Sequence, residues 1–248
     1  PNLRLAAAAA AVIGLIGAAL SVLIAEMWDT SLRSRNDVER ELGLPLAGAL
    51  PEYSTVRGPQ SRRLKPADYL VKQPLSSFAE AYRNVAAFMA LSSADRSSKT
   101  VVITSSVPRE GKSLTSVCLA RTLAMAGNKV VLVDCDTRQK GVTKLIGRAD
   151  VGLTEVVNRG VTLSEALTPD EQTTAWILPC SGDATAPDHG LFDRPQLHEV
   201  LKSLSSTFDY VILDVPPVLG IADARVLAAR ADHVLYVVRW NKTPRRAV

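Results

Sequence analysis

Cysteine, histidine and aromatic residues are scarce in this chain of 248 residues, which has three cysteines, three histidines and 5% aromatics. Cys118, Cys135 and Cys180 show no Cys-x-x-Cys spacing, so neither a disulfide scaffold nor a thiolate zinc site is expected, and buried idle thiols are. His189, His198 and His233 form no i, i+4 pair and are read as structural rather than as metal ligands. Charge of one sign is lacking too. With 29 basic against 25 acidic residues, interspersed, the net charge of +4 calls for no nucleic-acid partner. The five tyrosines, Tyr53, Tyr69, Tyr82, Tyr210 and Tyr236, are scattered and make no cluster before the chain stops at Val248.

One uncharged run is long. Between Arg4 and Glu26 lie 21 residues without a charge, which as a helix would rise about 30 Å, the thickness of a bilayer core. A transmembrane helix over 3–28 is expected, with Trp28 as an interfacial aromatic; a signal peptide is the competing reading, but a small-residue cleavage site should follow and Glu26, Trp28 and Asp29 follow instead. Arg33, Arg35, Arg40, Arg57, Arg62, Arg63 and Lys65 come after the run and only Arg4 before it, so the positive-inside rule places the remainder in the cytoplasm. The chain starts with Pro at the membrane's edge, as would a fragment lacking an upstream extracytoplasmic portion.

Beyond this run, Asn36 to Glu39 reads as a cap opening a short helix that ends near Gly43. Residues 29–75 form the juxtamembrane segment and linker. Their stretch 52–75 is polar and basic, broken by Pro59, Pro66 and Pro74, and reads either as a tether along anionic lipid or as a solvated linker. Ser77-Phe-Ala-Glu80 has the form of a capping box opening an amphipathic helix to about Leu91. Then apolar strands near 100–104, 129–133, 176–179, 209–213 and 233–238 alternate with helical stretches near 113–126, 152–167, 195–205 and 222–230. This predicts an α/β fold over 76–248, a parallel doubly wound P-loop NTPase sheet with its ligand site at the carboxyl ends of the strands.

The first strand runs into Ser106-Val107-Pro108-Arg109-Glu110-Gly111-Lys112-Ser113, and Leu114 continues into a helix. A loop between strand and helix N-terminus presents free amides to polyphosphate; Lys112 would reach the phosphates and Ser113 hold Mg²⁺. The strict pattern has Gly where Ser106 stands, and many such loops have Gly in place of Arg109. An ordinary helix start capped by Ser113 would account for Gly-Lys-Ser alone. Asp134 and Asp136 end the second strand and Asp214 the fourth, with Pro216 and Pro217 after it. Three carboxylates on the edge that carries the loop point to a Mg-nucleotide site.

In order and spacing, SSVPREGKS, VLVDCDTR and VILDVPP resemble the nucleotide motifs of the bacterial tyrosine kinases of the Wzc type, which are P-loop domains attached to membrane polysaccharide co-polymerases. ELGLPLAGALP, FAEAYRNVAAF and HVLYVVR resemble that family as well. The resemblance implies an ATP-dependent protein-tyrosine autokinase of the bacterial inner membrane, its kinase domain cytoplasmic and C-terminally incomplete here, that regulates capsular or exopolysaccharide polymerisation and export. It implies ATP and Mg²⁺ at Ser106 to Leu114, with Lys112 on the phosphates and Ser113 on the metal. Asp134 would assist the metal and, with Asp136, accept or orient the proton of the attacking tyrosine; Asp214 would support Mg²⁺ through water. Arg138 would pair with phosphate or with acidic groups, or form an exposed ion pair. The family's Glu-x-x-Arg-x-x-Arg helix packs neighbouring subunits into a homo-oligomeric ring; Glu80 and Arg83 match, and Ala86 replaces the second arginine. Two readings compete: a MinD- or ParA-like regulatory ATPase, whose signature lysine is Val107 here, and a non-catalytic nucleotide-binding scaffold.

Overall fold

The computed structural model describes residues 2–28, 35–61, 63–92, 99–147, 150–181, 190–221 and 223–248. Asp29, Arg33, Arg62 and His189, named above, lie outside them. Contacts divide the chain into two units, Pro1–Leu44 with Trp240–Val248, and Pro45–Arg239.

The first unit holds α1 (Leu3–Trp28) and α2 (Arg35–Leu42). α2 is braced by Arg35 Nε donating to Glu39 Oε1 at 2.9 Å, and ends at Gly43, whose positive φ of 62° suits a helix stop. The expected span forms one continuous helix. Among the described residues, however, no helix is long and apolar enough to cross a membrane. Residues 10–24 of α1 are exposed throughout.

In the second unit the chain forms α3 (Tyr53–Val56), α4 (Pro66–Lys72) and α5 (Ser77–Leu91), then β1 (Lys99–Ser105), α6 (Lys112–Met125), β2 (Val130–Asp134), α7 (Gly141–Ile146), α8 (Leu153–Arg159), α9 (Leu163–Ala166), β3 (Thr168–Pro169) and β4 (Trp176–Leu178). α10 (Pro195–Thr207), β5 (Tyr210–Asp214), α11 (Asp223–Ala228) and β6 (His233–Val237) complete it. The sheet runs β3-β4-β2-β5-β1-β6. Every pairing is parallel except β3 with β4, which corrects the expectation of a wholly parallel sheet. Pro169 has no N–H to extend a ladder, and a two-residue edge pair is all that β3 makes.

Alternation along each strand divides the core. Val101, Ile103, Val130, Leu132 and Ile212 face one cluster with α4, α5 and α6; Val102, Val131, Val133, Val211 and Leu213 face another with α8, α10 and α11. Both faces are covered, which is why the strands read as unbroken apolar runs. The stretch 52–75 is part of this core rather than a linker. Tyr69 and Leu70 on α4 are buried, Tyr53, Tyr69, Phe78 and Tyr82 form a chain of edge-to-face ring contacts, and Arg121 of α6 bonds Asp68 of α4 and Asp170 beyond β3, each at 2.8 Å.

Three local expectations change. Ser76, not Ser77, caps α5, its Oγ accepting from the Ala79 amide at 3.2 Å. The helix expected over 152–167 breaks at Gly160, with φ 69°, and restarts as α9 with Thr162 and Glu165 capping each other. Helix α7 was not expected at all.

Candidate nucleotide site

Register sets the depth of the site. Asp214 lies opposite both Asp134 on β2 and Ile103 on β1, so the strands end level beneath the loop that leaves Ser105. That loop turns through two left-handed residues, Arg109 with φ 71° and Gly111 with φ 96°. The left-handed conformation that glycine takes freely is thus adopted at Arg109 as well, at a cost of about 1 kcal/mol. Pro108 and Arg109 are exposed at the tip, and Leu114 in the first turn of α6 packs on the core. Val107 N–H donates to Glu110 Oε2 at 2.9 Å and Ser105 Oγ donates to the Val107 carbonyl at 2.9 Å. Gly111 is the N-cap of α6, so Ser113 is not, and its hydroxyl is free for other work.

That hydroxyl donates to Asp214 Oδ2 at 2.6 Å, while Ser116 Oγ donates to Asp214 Oδ1 at 3.0 Å. Lys112 Nζ sits 2.6 Å from Asp136 Oδ2 and 3.8 Å from Asp214 Oδ2, with all three residues buried. Burial pushes the Asp214 carboxyl up to about 7 against the pull of Lys112. Asp134 is also raised by burial, and its placement differs from that of its neighbours. Its Oδ2 accepts from the Thr143 amide and hydroxyl, each at 2.8 Å, and its Oδ1 from the Asp136 amide at 3.2 Å. Asp134 therefore ties β2 to α7, whereas Lys112, Ser113, Asp136 and Asp214 meet directly. Arg138 is exposed.

Sequence reasoning missed Ser116, Thr143, Gly141 and Tyr236. A Cβ on Gly141 would stand 2.1 Å from Ser113 Oγ, so only glycine fits beside this hydroxyl. Tyr236 OH donates to Ser106 Oγ at 3.0 Å. Among the described residues no group of three or more His, Cys, Asp and Glu side chains could cage a metal. Mg²⁺ needs no such cage, since it keeps waters and takes ligands from phosphate. The donors present, an ammonium, loop amides, a hydroxyl and carboxylates, fit a Mg-nucleotide. Cys118, Cys135 and Cys180 are free and buried, as expected.

The other expected functional feature lies apart from this site. Arg83 pairs with Glu80 on its own helix and donates to the Pro74 carbonyl at 2.5 Å. Beside it a mostly apolar groove of about 500 Å³, lined by Ala86, Ala90, Leu123 and Met125, runs between α5 and α6, away from the phosphate loop.

The AAA domain family model matches residues 98–244. The chain is 34% identical over 172 residues to the tyrosine-protein kinase YwqD of Bacillus subtilis (strain 168), covering 69% of this chain and 72% of that protein. It belongs to the family of bacterial tyrosine kinases. Within that family it is also similar to the succinoglycan biosynthesis transport protein ExoP of Rhizobium meliloti (strain 1021), 32% identical over 182 residues; the match covers 72% of this chain and only 23% of ExoP. The kinase domain of the Escherichia coli tyrosine kinase ETK has the same fold, with a TM-score of 0.77 over 87% of this chain and 86% of that domain at 22% identity.

Proposed function

We propose that this chain carries the catalytic part of an ATP-dependent protein-tyrosine autokinase that regulates capsular or exopolysaccharide polymerisation and export. The observation that carries the reading is the contact of Lys112 and Ser113 with Asp136 and Asp214 beneath the loop. Lys112 would leave Asp136 for the β- and γ-phosphates, and the loop amides would cradle them. Ser113 and Asp214 would hold Mg²⁺, Asp214 through water, with Asp134 assisting from the end of β2; the metal would neutralise charge on the phosphates. Asp136, released from Lys112, would orient the acceptor hydroxyl and take its proton. A phenol titrates near pH 10, so the carboxylate accepts that proton as the new P–O bond forms and ADP departs, not beforehand. Positioning and charge neutralisation supply most of the acceleration.

The segment 3–28 would anchor the chain in the inner membrane with the catalytic unit in the cytoplasm, on the strength of its uncharged run and the arginines after it. Neighbouring subunits would meet through α5, Arg83 exchanging Glu80 and Pro74 for partners across the boundary. The polysaccharide export and polymerisation machinery is the partner that the relatives' names support.

The test is transfer of labelled phosphate from Mg-ATP, with phospho-amino-acid analysis, on this chain and on the gene's complete product. Phosphotyrosine on the complete product is expected. ATP binding that yields only free phosphate would instead mark a nucleotide switch.

A further inference from the structure

Where the strict phosphate-loop pattern has glycine, this chain has Ser106. Ser106 is fully buried, so its hydroxyl must find a partner inside the fold. The partner comes from the neighbouring strand. β6 pairs with β1 in a register that sets Tyr236 opposite Thr104, and residues two apart along an extended chain share a face. Tyr236 is thereby within reach of Ser106, and its hydroxyl donates to Ser106 Oγ at 3.0 Å. The loop has two further braces near its start, Ser105 on the Val107 carbonyl and Glu110 on the Val107 amide. Both are local; Tyr236 alone of the three braces belongs to another element.

The geometry points to Tyr236 as a positioning residue for nucleotide binding. Its phenol holds the first residue of the loop so that the amides of Arg109, Glu110 and Gly111 keep the curvature a phosphate chain needs. The inference rests on the nucleotide reading above. It also accounts for the departure at position 106: the serine hydroxyl that replaces glycine is the handle by which the edge strand grips the loop.

The experiment is calorimetric titration of the intact chain with Mg-ADP, alongside steady-state phosphoryl transfer, for the parent protein, Tyr236→Phe, Ser106→Gly and the double variant. Tyr236→Phe is expected to weaken binding by up to about fivefold, because without a bond of about 1 kcal/mol the unliganded loop leaves the binding geometry, and to raise KM for ATP while kcat at saturation changes little. In the Ser106→Gly background no hydroxyl remains to be held, and Tyr236→Phe should then change affinity by less than about twofold. Ser106→Ala, which leaves β6 untouched, should reproduce the loss expected of Tyr236→Phe and serves if that variant does not fold. Unchanged affinity in Tyr236→Phe with only a lower Tm, or the same loss in both backgrounds, overturns the positioning role. A parent protein that binds no Mg-ADP overturns the nucleotide reading itself, a different result from any of these.

Discussion

Replacing Asp214 with Asn should end phosphoryl transfer and yet stabilise the metal-free protein at pH 8. The carboxyl is fully buried, and burial lifts its pKa to about 7; Lys112 opposes the rise, Asp134 adds to it, and the hydroxyls of Ser113 and Ser116 oppose it again. An unfolded aspartate titrates near 3.9, so the folded group stands roughly 3 units higher, which at 1.36 kcal/mol per unit is about 4 kcal/mol. A carboxyl raised on folding contributes stability that is fully present below about pH 4 and is lost as the pH climbs through about 7. Asparagine cannot ionise and escapes that loss, but its amide answers Lys112 and the two serines less well, at about 1–2 kcal/mol. The variant should therefore be slightly less stable than the parent at pH 4 and more stable by about 2 kcal/mol at pH 8. Urea unfolding in EDTA at several pH values between 4 and 8 measures the difference, in which other carboxylates largely cancel. A difference independent of pH would refute the reasoning.

Lys112→Met should abolish transfer and, by leaving Asp136 and Asp214 without their cation, cost about 3 kcal/mol while circular dichroism still shows a folded chain; retained transfer would remove Lys112 from the mechanism. Arg109→Gly should gain up to about 1 kcal/mol by relieving the positive φ, whereas Arg109→Val should lose more than about 1 kcal/mol, and thermal unfolding separates the two. Burial pushes Cys118 and Cys180 up to about 12 and Cys135 well above its usual value, so a thiol reagent at pH 8 should label none of them until urea is added; prompt labelling of the native protein would contradict their burial.

Much of the sheet was legible because buried parallel strands are written as continuous apolar runs, and Val130 to Asp134 and Tyr210 to Asp214 announced both themselves and their terminal carboxylates. The loop was legible from Gly111, Lys112 and Ser113. Less was visible where a residue's meaning depends on a distant neighbour. Nothing local tells Asp134, held by Thr143, from Asp136, held by Lys112. Prolines 59, 66 and 74 read as linker, yet Pro66 simply starts α4, a position where its missing N–H costs nothing. Gly160 was enough to split one expected helix in two, a local signal passed over. Tyr236 sat in an apolar strand and gave no sign of its bond to Ser106.

The guanidinium of Arg121 bears on where this domain begins. It is buried between Asp170 on one side and Asp68 on the other, and the rings of Tyr69, Phe78 and Tyr82 cover the same face of the sheet. The stretch matched by the AAA domain family starts only at residue 98. A protein trimmed to that boundary would keep the whole loop from Ser106 to Ser113 and its facing carboxylates and lose one wall of its hydrophobic interior, along with half the counter-charge of a buried cation. The smallest piece able to fold is thus larger than the piece that the family model matches, and residues 45–92 are an integral layer of the folded unit rather than a cord that tethers it.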